Sequence, residues 1–416
     1  MKILWIINIP LPPLCELMGW KKPVIGGWLY SAFKQLEIQE EIQLFVASPY
    51  SRGKELIDKE IEGVRYFAIP YGYRSTAKSH SFVRKYWKHI NEIVRPDIVH
   101  IHGTEFAHGN DFVSACGGEN VVISIQGLVS VIASYYLGGL QKWDIFKNVT
   151  LRDILRRSTI YNDRNDFLRR GRIEVDTLKR VKYVIGRTEW DKAHVWAINP
   201  SITYFYCGET LRDSFYNQKW HYDKCRPHSI FISQSGYPIK GLHIVLEALP
   251  LVIKNYPDTK LYVAGMDISN RKPWYRYTSY GKLIRKKITK LGLSGRVEFT
   301  GVLNEEQMCK QYLESNLFII SSCIENSPNS LGEAQVLGMP VLASYVGGVP
   351  DMMIENELFL YRYDDAKMLA YKISNIFAQK EEAAPSENTR ELALKRHSPE
   401  RNLSTLMGIY EQIQKR

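Results

Sequence analysis

Residues 321–350 read SSCIENSPNSLGEAQVLGMPVLASYVGGVP, and this stretch decides the fold. It follows a short apolar run at 317–320 that predicts a buried strand. Pro328 stands where a helix can begin, because proline is tolerated in the first helical turn, and Gly338 stands where that helix should end. The apolar residues 341–343 then predict a second strand. A strand, loop, helix and strand in this order are typical of an α/β unit, which places ligands at the carboxyl ends of its strands.

The start of the predicted helix suits an anion. The first N–H groups of a helix lack intrahelical partners, so Asn329, Ser330 and Leu331 are expected to donate to a diphosphate. Glu333 lies about one turn inside the helix, and its side chain should lean back toward the helix start. Glu325 precedes the helix in the loop. Two carboxylates repel a phosphate, so they are better suited to accepting hydrogen bonds from sugar hydroxyls.

The segment IENSPNSLGEAQVLGMPVLAS, followed by VGGVPDM, contains the two glutamates as E-x7-E. It resembles the donor-site signature of retaining GT-B glycosyltransferases of family 4, the glycosyl transferases group 1. The resemblance implies that Glu333 holds the ribose of a nucleotide sugar and that Glu325, which is predicted to be catalytic, holds a hydroxyl of the transferred sugar. The two glutamates by themselves are also compatible with the exposed face of a plain amphipathic helix.

The second half of the chain begins again with a predicted strand at 230–233, and its loop ends at Lys240 and Gly241. Lys240 matches the family's phosphate-binding lysine, which implies a catalytic role in balancing the charge of the departing diphosphate. Relatives commonly carry an arginine where Ser235 stands, so the family's second cation is missing here. Gly301 and Leu303 resemble the strand exit whose backbone holds the nucleobase.

The first half contributes further candidates. Gly27 lies in a glycine pair between a predicted strand and a predicted helix, where backbone can approach a ligand closely. Gln126 follows the predicted strand 121–125, at a position where relatives often carry a histidine that contacts the donor sugar. An amide still exchanges hydrogen bonds with a hydroxyl, but it cannot titrate. His100 and His102, in the family-like strand DIVHIHG, are too few for a metal site, and structural or acceptor-side roles are expected.

Composition limits the partners. The 416 residues carry a formal charge of +11, which favours an anionic partner such as a nucleic acid, a membrane surface or a phosphorylated substrate. The six cysteines show no CxxC pairing, which argues against a zinc site and predicts reduced thiols in a cytoplasmic protein. No apolar run approaches the roughly 20 residues of a membrane span. The apolar part of residues 2–14 is short and interrupted by prolines, so this segment is interpreted as a first strand and its loop rather than a signal peptide.

Residues 135–182 are rich in arginine and aromatic residues. This segment fits solvated helices, a surface for a negatively charged or membrane-bound acceptor, or a nucleic-acid surface. Because the arginines form no recognised nucleic-acid module, no nucleic-acid partner is predicted. Peripheral contact with the inner face of a membrane is retained as a hypothesis.

Both halves restart with strand, glycine-containing loop and helix, which predicts an α/β fold of two Rossmann-like domains facing a cleft, the GT-B fold. We assign residues 1–215 to an acceptor-binding domain, 216–395 to a donor-binding domain, and 396–416 to a terminal helix that the resemblance implies crosses back to the first domain.

The predicted function is transfer of a sugar, with retention, from a nucleotide diphosphate sugar to a hydroxyl of a glycan or lipid-linked acceptor in polysaccharide or cell-surface glycan synthesis. No acidic metal-binding motif is evident in the sequence, so no metal or other cofactor is expected. The alternatives are a phosphorylase or epimerase of the same fold and a non-catalytic protein that binds nucleotide sugars.

Overall fold

The structure is a computed structural model that describes residues 1–23, 26–51, 53–71, 78–270, 273–353, 357–383 and 385–415. The chain forms two compact units. Unit 1 comprises Met1–Ala133, Asp166–Leu211 and Arg396–Arg416, and unit 2 comprises Ser134–Asn165 and Arg212–Lys395. The sequence-based boundary placed 134–165 in the first domain, whereas these residues group with the second. The terminal segment groups with unit 1.

The described residues of unit 1 form an eight-stranded sheet in the order β3-β4-β2-β1-β5-β6-β7-β8. All neighbouring strands run parallel except β3 and β4. The strands are β1 (Lys2–Ile6), β2 (Gln43–Tyr50), β3 (Ile57–Ile61), β4 (Val64–Pro70), β5 (Ile98–His102), β6 (Val121–Ser124), β7 (Tyr183–Gly186) and β8 (Thr203–Tyr206).

The described residues of unit 2 form a six-stranded, entirely parallel sheet in the order β11-β10-β9-β12-β13-β14. The strands are β9 (Arg226–Ile232), β10 (Lys260–Val263), β11 (Val297–Phe299), β12 (Ser315–Ile320), β13 (Val341–Ser344) and β14 (Leu360–Tyr361). One mostly parallel and one entirely parallel sheet, each with helical crossovers, confirm the prediction of an α/β fold with two Rossmann-like domains.

The helices complete these crossovers. In chain order they are α1 (Pro12–Leu17), α2 (Gly27–Leu36), α3 (Arg84–Val94), α4 (His108–Cys116), α5 (Val129–Tyr135), α6 (Lys142–Asn148), α7 (Leu151–Arg156), α8 (Ile160–Leu178), α9 (Glu189–Ile198), α10 (Leu242–Ile253), α11 (Ser279–Lys290), α12 (Glu305–Leu313), α13 (Asn329–Leu337), α14 (Val349–Met352), α15 (Ala366–Gln379), α16 (Glu387–Arg396) and α17 (Pro399–Gln414).

Each sheet buries apolar side chains. Along β1, alternate side chains belong to two different apolar clusters. Leu4 and Ile6 belong to one apolar cluster, while Ile3 and Trp5 belong to another. Because successive side chains of a strand point to opposite faces, the two clusters cover the two faces of the unit 1 sheet. β12 is buried along its whole length, as expected for a central strand with helices on both faces.

The stretch that predicted the fold forms the expected elements. β12 ends at Ile320, α13 begins at Asn329 after Pro328, and β13 begins at Val341. Gly338 adopts a left-handed conformation with φ 73° and ends α13, because a residue without a side chain enters that region at little cost. Pro328 is the residue immediately before the helix rather than its first residue.

Candidate functional site

The strand order of unit 2 identifies where a ligand should bind. β9 is hydrogen-bonded to β10 on one side and to β12 on the other, so the direction of chain progression reverses between β9 and β12. Parallel sheets bind ligands at such a switch point, beyond the carboxyl ends of the two strands. Lys240 lies on the loop that follows β9, and Glu325 lies on the loop that follows β12. The switch point therefore brings together the two residues that the sequence predicted to be catalytic.

Lys240 and Glu325 form an ion pair. Lys240 Nζ lies 2.5 Å from Glu325 Oε1, with the two side chains 17% and 16% exposed. The hydroxyl of Ser322 donates to the same carboxylate oxygen at 2.6 Å. Burial by itself lowers the pKa of Lys240, but the adjacent Glu325 carboxylate outweighs it and the pKa lies above its ordinary value. The lysine is therefore a permanent cation at neutral pH.

Close backbone contacts hold the Lys240 loop against the β12 loop. Gly241 has φ 71°, and a Cβ on it would lie 1.8 Å from the carbonyl oxygen of Ser321. Ser321 Oγ donates to the Lys240 carbonyl at 2.7 Å, and the Cys323 N–H donates to the Ile239 carbonyl at 2.7 Å. Only glycine allows this approach, which explains why the lysine is followed by a glycine.

The loop after β13 supports Glu325 in the same way. Gly347 has φ 52°, and a Cβ on it would lie 1.9 Å from the carbonyl oxygen of Glu325. The N–H of Gly348 donates to that oxygen at 3.1 Å. The glycine pair that was noted in the sequence only as part of a family signature thus has a physical purpose, since it fixes the backbone of Glu325.

The start of α13 differs in one respect from the sequence prediction. Asn329 and Ser330 lie in the first helical turn, where a helix supplies no carbonyl partner for backbone N–H groups. The N–H of Leu331, however, donates to the Pro328 carbonyl at 2.9 Å. The backbone N–H of Leu331 is therefore not available to a phosphate in this conformation, because it is already hydrogen-bonded within the tight first turn.

Glu333 is buried and paired with a residue that the sequence analysis missed. Arg212 donates to both carboxylate oxygens, from Nε to Oε1 at 2.7 Å and from Nη2 to Oε2 at 2.7 Å. Burial raises the pKa of Glu333, and the guanidinium limits that rise. A fork-to-fork pair of this kind fixes the carboxylate in orientation. No sequence signal marked Arg212, because it lies 121 positions from its partner.

Gly301 and Leu303 lie directly after β11. Gly301 has φ 79°, its carbonyl accepts a hydrogen bond from the Gly265 N–H at 2.8 Å, and nothing lies within 4 Å of where its Cβ would be. Leu303 packs partly against the unit 2 core, while Val302 between them is 60% exposed. The backbone after β11 is therefore held by the Gly265–Gly301 hydrogen bond and by the packing of Leu303. The space beside Gly301 is open.

The unit 1 candidates lie near the carboxyl edge of their own sheet. Gly27 is the first residue of α2, and it is the preceding Gly26 that takes the left-handed conformation, with φ 81°. Gln126 follows β6 and donates from Nε2 to Glu209 Oε1 at 2.6 Å. Glu209 also pairs with Arg187. These two charged residues orient the Gln126 amide, and no local sequence pattern marked them.

The histidines of β5 are both buried and stack on each other. His100 contacts the Tyr410 hydroxyl at 2.6 Å and the Ser124 hydroxyl at 2.7 Å. Burial lowers the pKa of His100 to about 3, so its ring is neutral. His102 stacks on it with ring centroids 3.9 Å apart. Within the described residues, no group of three or more His, Cys, Asp or Glu side chains could hold a metal ion.

None of the helices in the described part of the chain has the length and apolar character needed to cross a membrane.

Comparison with known proteins agrees with this geometry. Residues 217–392, which contain Lys240, Glu325 and Glu333, match the family described as Glycosyl transferases group 1. This segment is a glycosyl transferases group 1 domain. Spore coat protein SA of Bacillus subtilis (strain 168) is 24% identical over 180 residues, which are 42% of this chain and 46% of that protein. The alignment thus spans less than half of the relative's length.

Solved structures extend the similarity to the whole fold. Sucrose-phosphate synthase from Thermosynechococcus elongatus superposes with a TM-score of 0.70 at 16% identity, covering 99% of both chains. Anabaena HepE in complex with UDP-glucose superposes with a TM-score of 0.63 at 16% identity, covering 100% of this chain and 98% of HepE. A mutant of S. aureus TarM in complex with Fondaparinux, alpha-GlcNAc-glycerol and UDP gives 0.64 at 12% identity, covering 98% and 99%. The chain has the GT-B fold.

Proposed function

We propose that this protein is a retaining glycosyltransferase that moves a sugar from a nucleotide diphosphate sugar to a hydroxyl of a glycan or lipid-linked acceptor. The observation that carries the proposal is the Lys240–Glu325 pair, which combines a fixed cation and a carboxylate at the switch point of a glycosyl transferases group 1 domain. A cation suits the diphosphate and a carboxylate suits the sugar, so one site holds both parts of such a donor.

In this proposal Lys240 stabilises the leaving group. Its ammonium has three donors, and only one is required for Glu325, so the others can reach a diphosphate. Asn329 and Ser330 at the start of α13 add partial positive charge. Positive groups placed where negative charge develops are among the largest contributors to catalysis.

The two glutamates bind hydroxyl groups in this proposal. Glu325 already accepts hydrogen bonds from Lys240 and Ser322 at Oε1, which leaves Oε2 for a hydroxyl of the sugar. Glu333 uses one lone pair on each oxygen for Arg212, and a carboxylate oxygen has a second lone pair. The Tyr312 hydroxyl also bonds to this carboxylate, and the acceptor capacity that remains takes a ribose hydroxyl in this proposal.

The transfer step breaks the bond between the anomeric carbon and the phosphate oxygen, and the electron pair leaves with that oxygen. The acceptor oxygen forms the new bond on the same face of the sugar, and its proton passes to the departing phosphate. Glu325 acts by binding and not as a covalent nucleophile in this proposal, because the Lys240 ammonium and the Ser322 hydroxyl draw charge from its carboxylate and make it a weaker nucleophile. Trapping a glycosyl adduct on Glu325 would contradict this role.

The proposal includes independence from metal ions, since Lys240 supplies the positive charge at the diphosphate. Turnover should be the same with and without a strong chelator. Loss of turnover on chelation, with recovery on adding Mg²⁺, would refute this part of the proposal.

We further propose a cytoplasmic enzyme of polysaccharide or cell-surface glycan synthesis. All six cysteines carry free thiols, as is usual in a reducing compartment. Because two of the similar structures contain UDP or UDP-glucose, uridine diphosphate sugars are the first donors to test.

A panel of nucleotide sugars should be screened by thermal shift, and the donor that stabilises the protein should then be assayed with glycan and lipid-linked acceptors. Proton NMR of the product should show the same anomeric configuration as the donor. Inversion would refute retention. Turnover that needs only inorganic phosphate would identify a phosphorylase, conversion without any acceptor an epimerase, and binding without turnover a binding protein.

A further inference from the structure

A basic and apolar surface of unit 2 lies on α7, α11 and the segment between Tyr275 and Tyr277. These elements line a groove of about 860 Å³. Its cationic lining residues are Arg152, Arg156, Arg276, Lys282 and Arg285, and no Asp or Glu is among the residues that line it. We call it the α7 groove. A groove of one charge sign attracts an anionic partner.

Large apolar side chains are exposed at this groove. Leu151 and Leu155, one helical turn apart on α7, line it and are 69% and 76% exposed, and Ile154 beside them is 59% exposed. Contact with water or with a soluble polyanion does not stabilise exposed aliphatic side chains. Their concentration on one short helix therefore indicates an apolar partner next to the anionic one.

A neighbouring helix adds aromatic side chains. α6 packs against α11, which also lines the groove. Trp143 and Phe146 of α6 are 62% and 69% exposed, and their rings stack with centroids 5.8 Å apart. The Lys147 ammonium lies 4.9 Å from the Trp143 ring centroid. Tryptophan beside lysine is typical of side chains that lie at the boundary between lipid and water.

Hydrogen bonds from α7 to the elements beside it hold the α7 groove in a defined shape. Asp153 of α7 is fully buried and accepts hydrogen bonds from the N–H and the hydroxyl of Ser279, both at 2.5 Å. Thr150 donates to the Tyr277 carbonyl at 3.2 Å. α7 therefore turns its polar Asp153 inward and its leucines outward, because the buried carboxylate caps the start of α11.

We propose that the α7 groove and the exposed face of α6 dock this protein on an anionic phospholipid membrane. The leucines of α7 and the aromatic residues of α6 enter the headgroup layer, and the groove arginines pair with lipid phosphates. A soluble polyanion would use the cations and leave the aliphatic side chains in water, so the membrane accounts for both halves of the surface.

The test uses sedimentation of the full chain with phosphatidylcholine vesicles, with and without phosphatidylglycerol. Binding should require the anionic lipid and should weaken as salt rises. Arg156 and Arg276 are exposed residues of the groove, and R156E/R276E should bind at least ~25-fold more weakly, at roughly fivefold for each basic residue lost. K254E/K367E changes the same charge at exposed positions outside the groove and should bind like the wild type.

The apolar half is tested by L151S/L155S, with L251S/Y371S as a matched control at other exposed positions of unit 2. The first variant should lose membrane binding at high salt, and the control should retain it. Thermal unfolding should be the same for all variants, because none of these side chains is buried.

Three results would overturn the proposal: equal binding to neutral and anionic vesicles, equal loss in the charge-matched control, or binding to a soluble polyanion such as heparin without binding to vesicles. The vesicle assay contains no donor or acceptor, so its outcome does not depend on the proposed glycosyl transfer.

Discussion

The Nζ atom of Lys240 lies 2.5 Å from Oε1 of Glu325, although the two residues are 85 positions apart in the chain. The pair joins the loop after β9 to the loop after β12. Between these two strands, the direction in which the chain adds strands to the sheet reverses. Each residue balances the charge of the other while no donor is bound. A nucleotide sugar would meet both groups at once, which leads to the first prediction.

Replacement of Lys240 by alanine should lower turnover at least tenfold. A charge-assisted hydrogen bond contributes about 1.5–3 kcal/mol, and about 1.4 kcal/mol in a barrier is tenfold in rate. Steady-state assays with the identified donor measure this loss. K254A, which removes an exposed lysine of the same unit, should retain full turnover. Near-normal turnover of K240A would remove Lys240 from the leaving-group role.

Replacement of Glu333 by alanine should weaken donor binding by about tenfold or more, because the ribose loses its charged acceptor. It should also destabilise unit 2 by about 3 kcal/mol, since the Arg212 guanidinium loses its buried partner. Donor titration calorimetry and urea unfolding separate the two effects. An unchanged donor dissociation constant would rule out the ribose role.

Arg212→Met serves as the companion variant, because it breaks the same ion pair and keeps the carboxylate. It should destabilise unit 2 about as much as E333A while weakening donor binding less. If both variants weaken donor binding equally, Glu333 acts only through the geometry that Arg212 imposes.

Replacement of Gly241 by alanine should destabilise unit 2 by at least about 2 kcal/mol, since left-handed backbone penalises a side chain. Its Cβ would also lie 1.8 Å from the Ser321 carbonyl oxygen, which forces the Lys240 loop away from Glu325 and lowers turnover. Gly236 in the same loop has open space around its Cβ position, so G236A should change stability by less than about 0.5 kcal/mol. Equal effects of the two variants would contradict the packing argument.

Glu105, on the loop after β5, predicts a pH dependence of stability. Burial raises the pKa of Glu105 to about 7, with nearby Glu174 adding to the rise and Arg170 and Arg187 opposing it. The folded state therefore holds this proton more tightly than the unfolded state. The corresponding stabilisation is complete below the ordinary glutamate pKa and is lost as the pH rises through about 7, an effect of about 3 kcal/mol.

Glu105→Gln keeps the shape and removes the titration. The difference in unfolding free energy between E105Q and the wild type should grow by about 3 kcal/mol in favour of the variant between about pH 4.5 and about pH 8. Urea titrations of both proteins measure it, and the difference cancels groups that titrate in both, such as His397. A difference independent of pH would show that the Glu105 pKa is not raised.

Much of the secondary structure of unit 2 could be predicted from the sequence, because the patterns that indicate it involve residues close together in the chain. The strand at 317–320, the glycine that ends α13 and the Lys240-Gly241 turn each depend on a few neighbouring residues. These patterns are visible in the sequence because a given backbone conformation accepts only certain residue types. Arg212, Glu209 and Arg187 were missed since each acts through a partner that is distant in the chain, and no local pattern marks it.

The sequence by itself determined the α/β class and the two restarts of strand, loop and helix, and it supplied the residues for which diphosphate and sugar binding is proposed. Tertiary structure alone decided that Lys240 and Glu325 pair, that Arg212 holds Glu333, and that residues 134–165 group with unit 2. The physical reason is that hydrogen bonds and close ion pairs require donor and acceptor atoms to lie about 3 Å apart. Such distances follow from how strands are ordered in a sheet, and neither residue of a pair encodes that order.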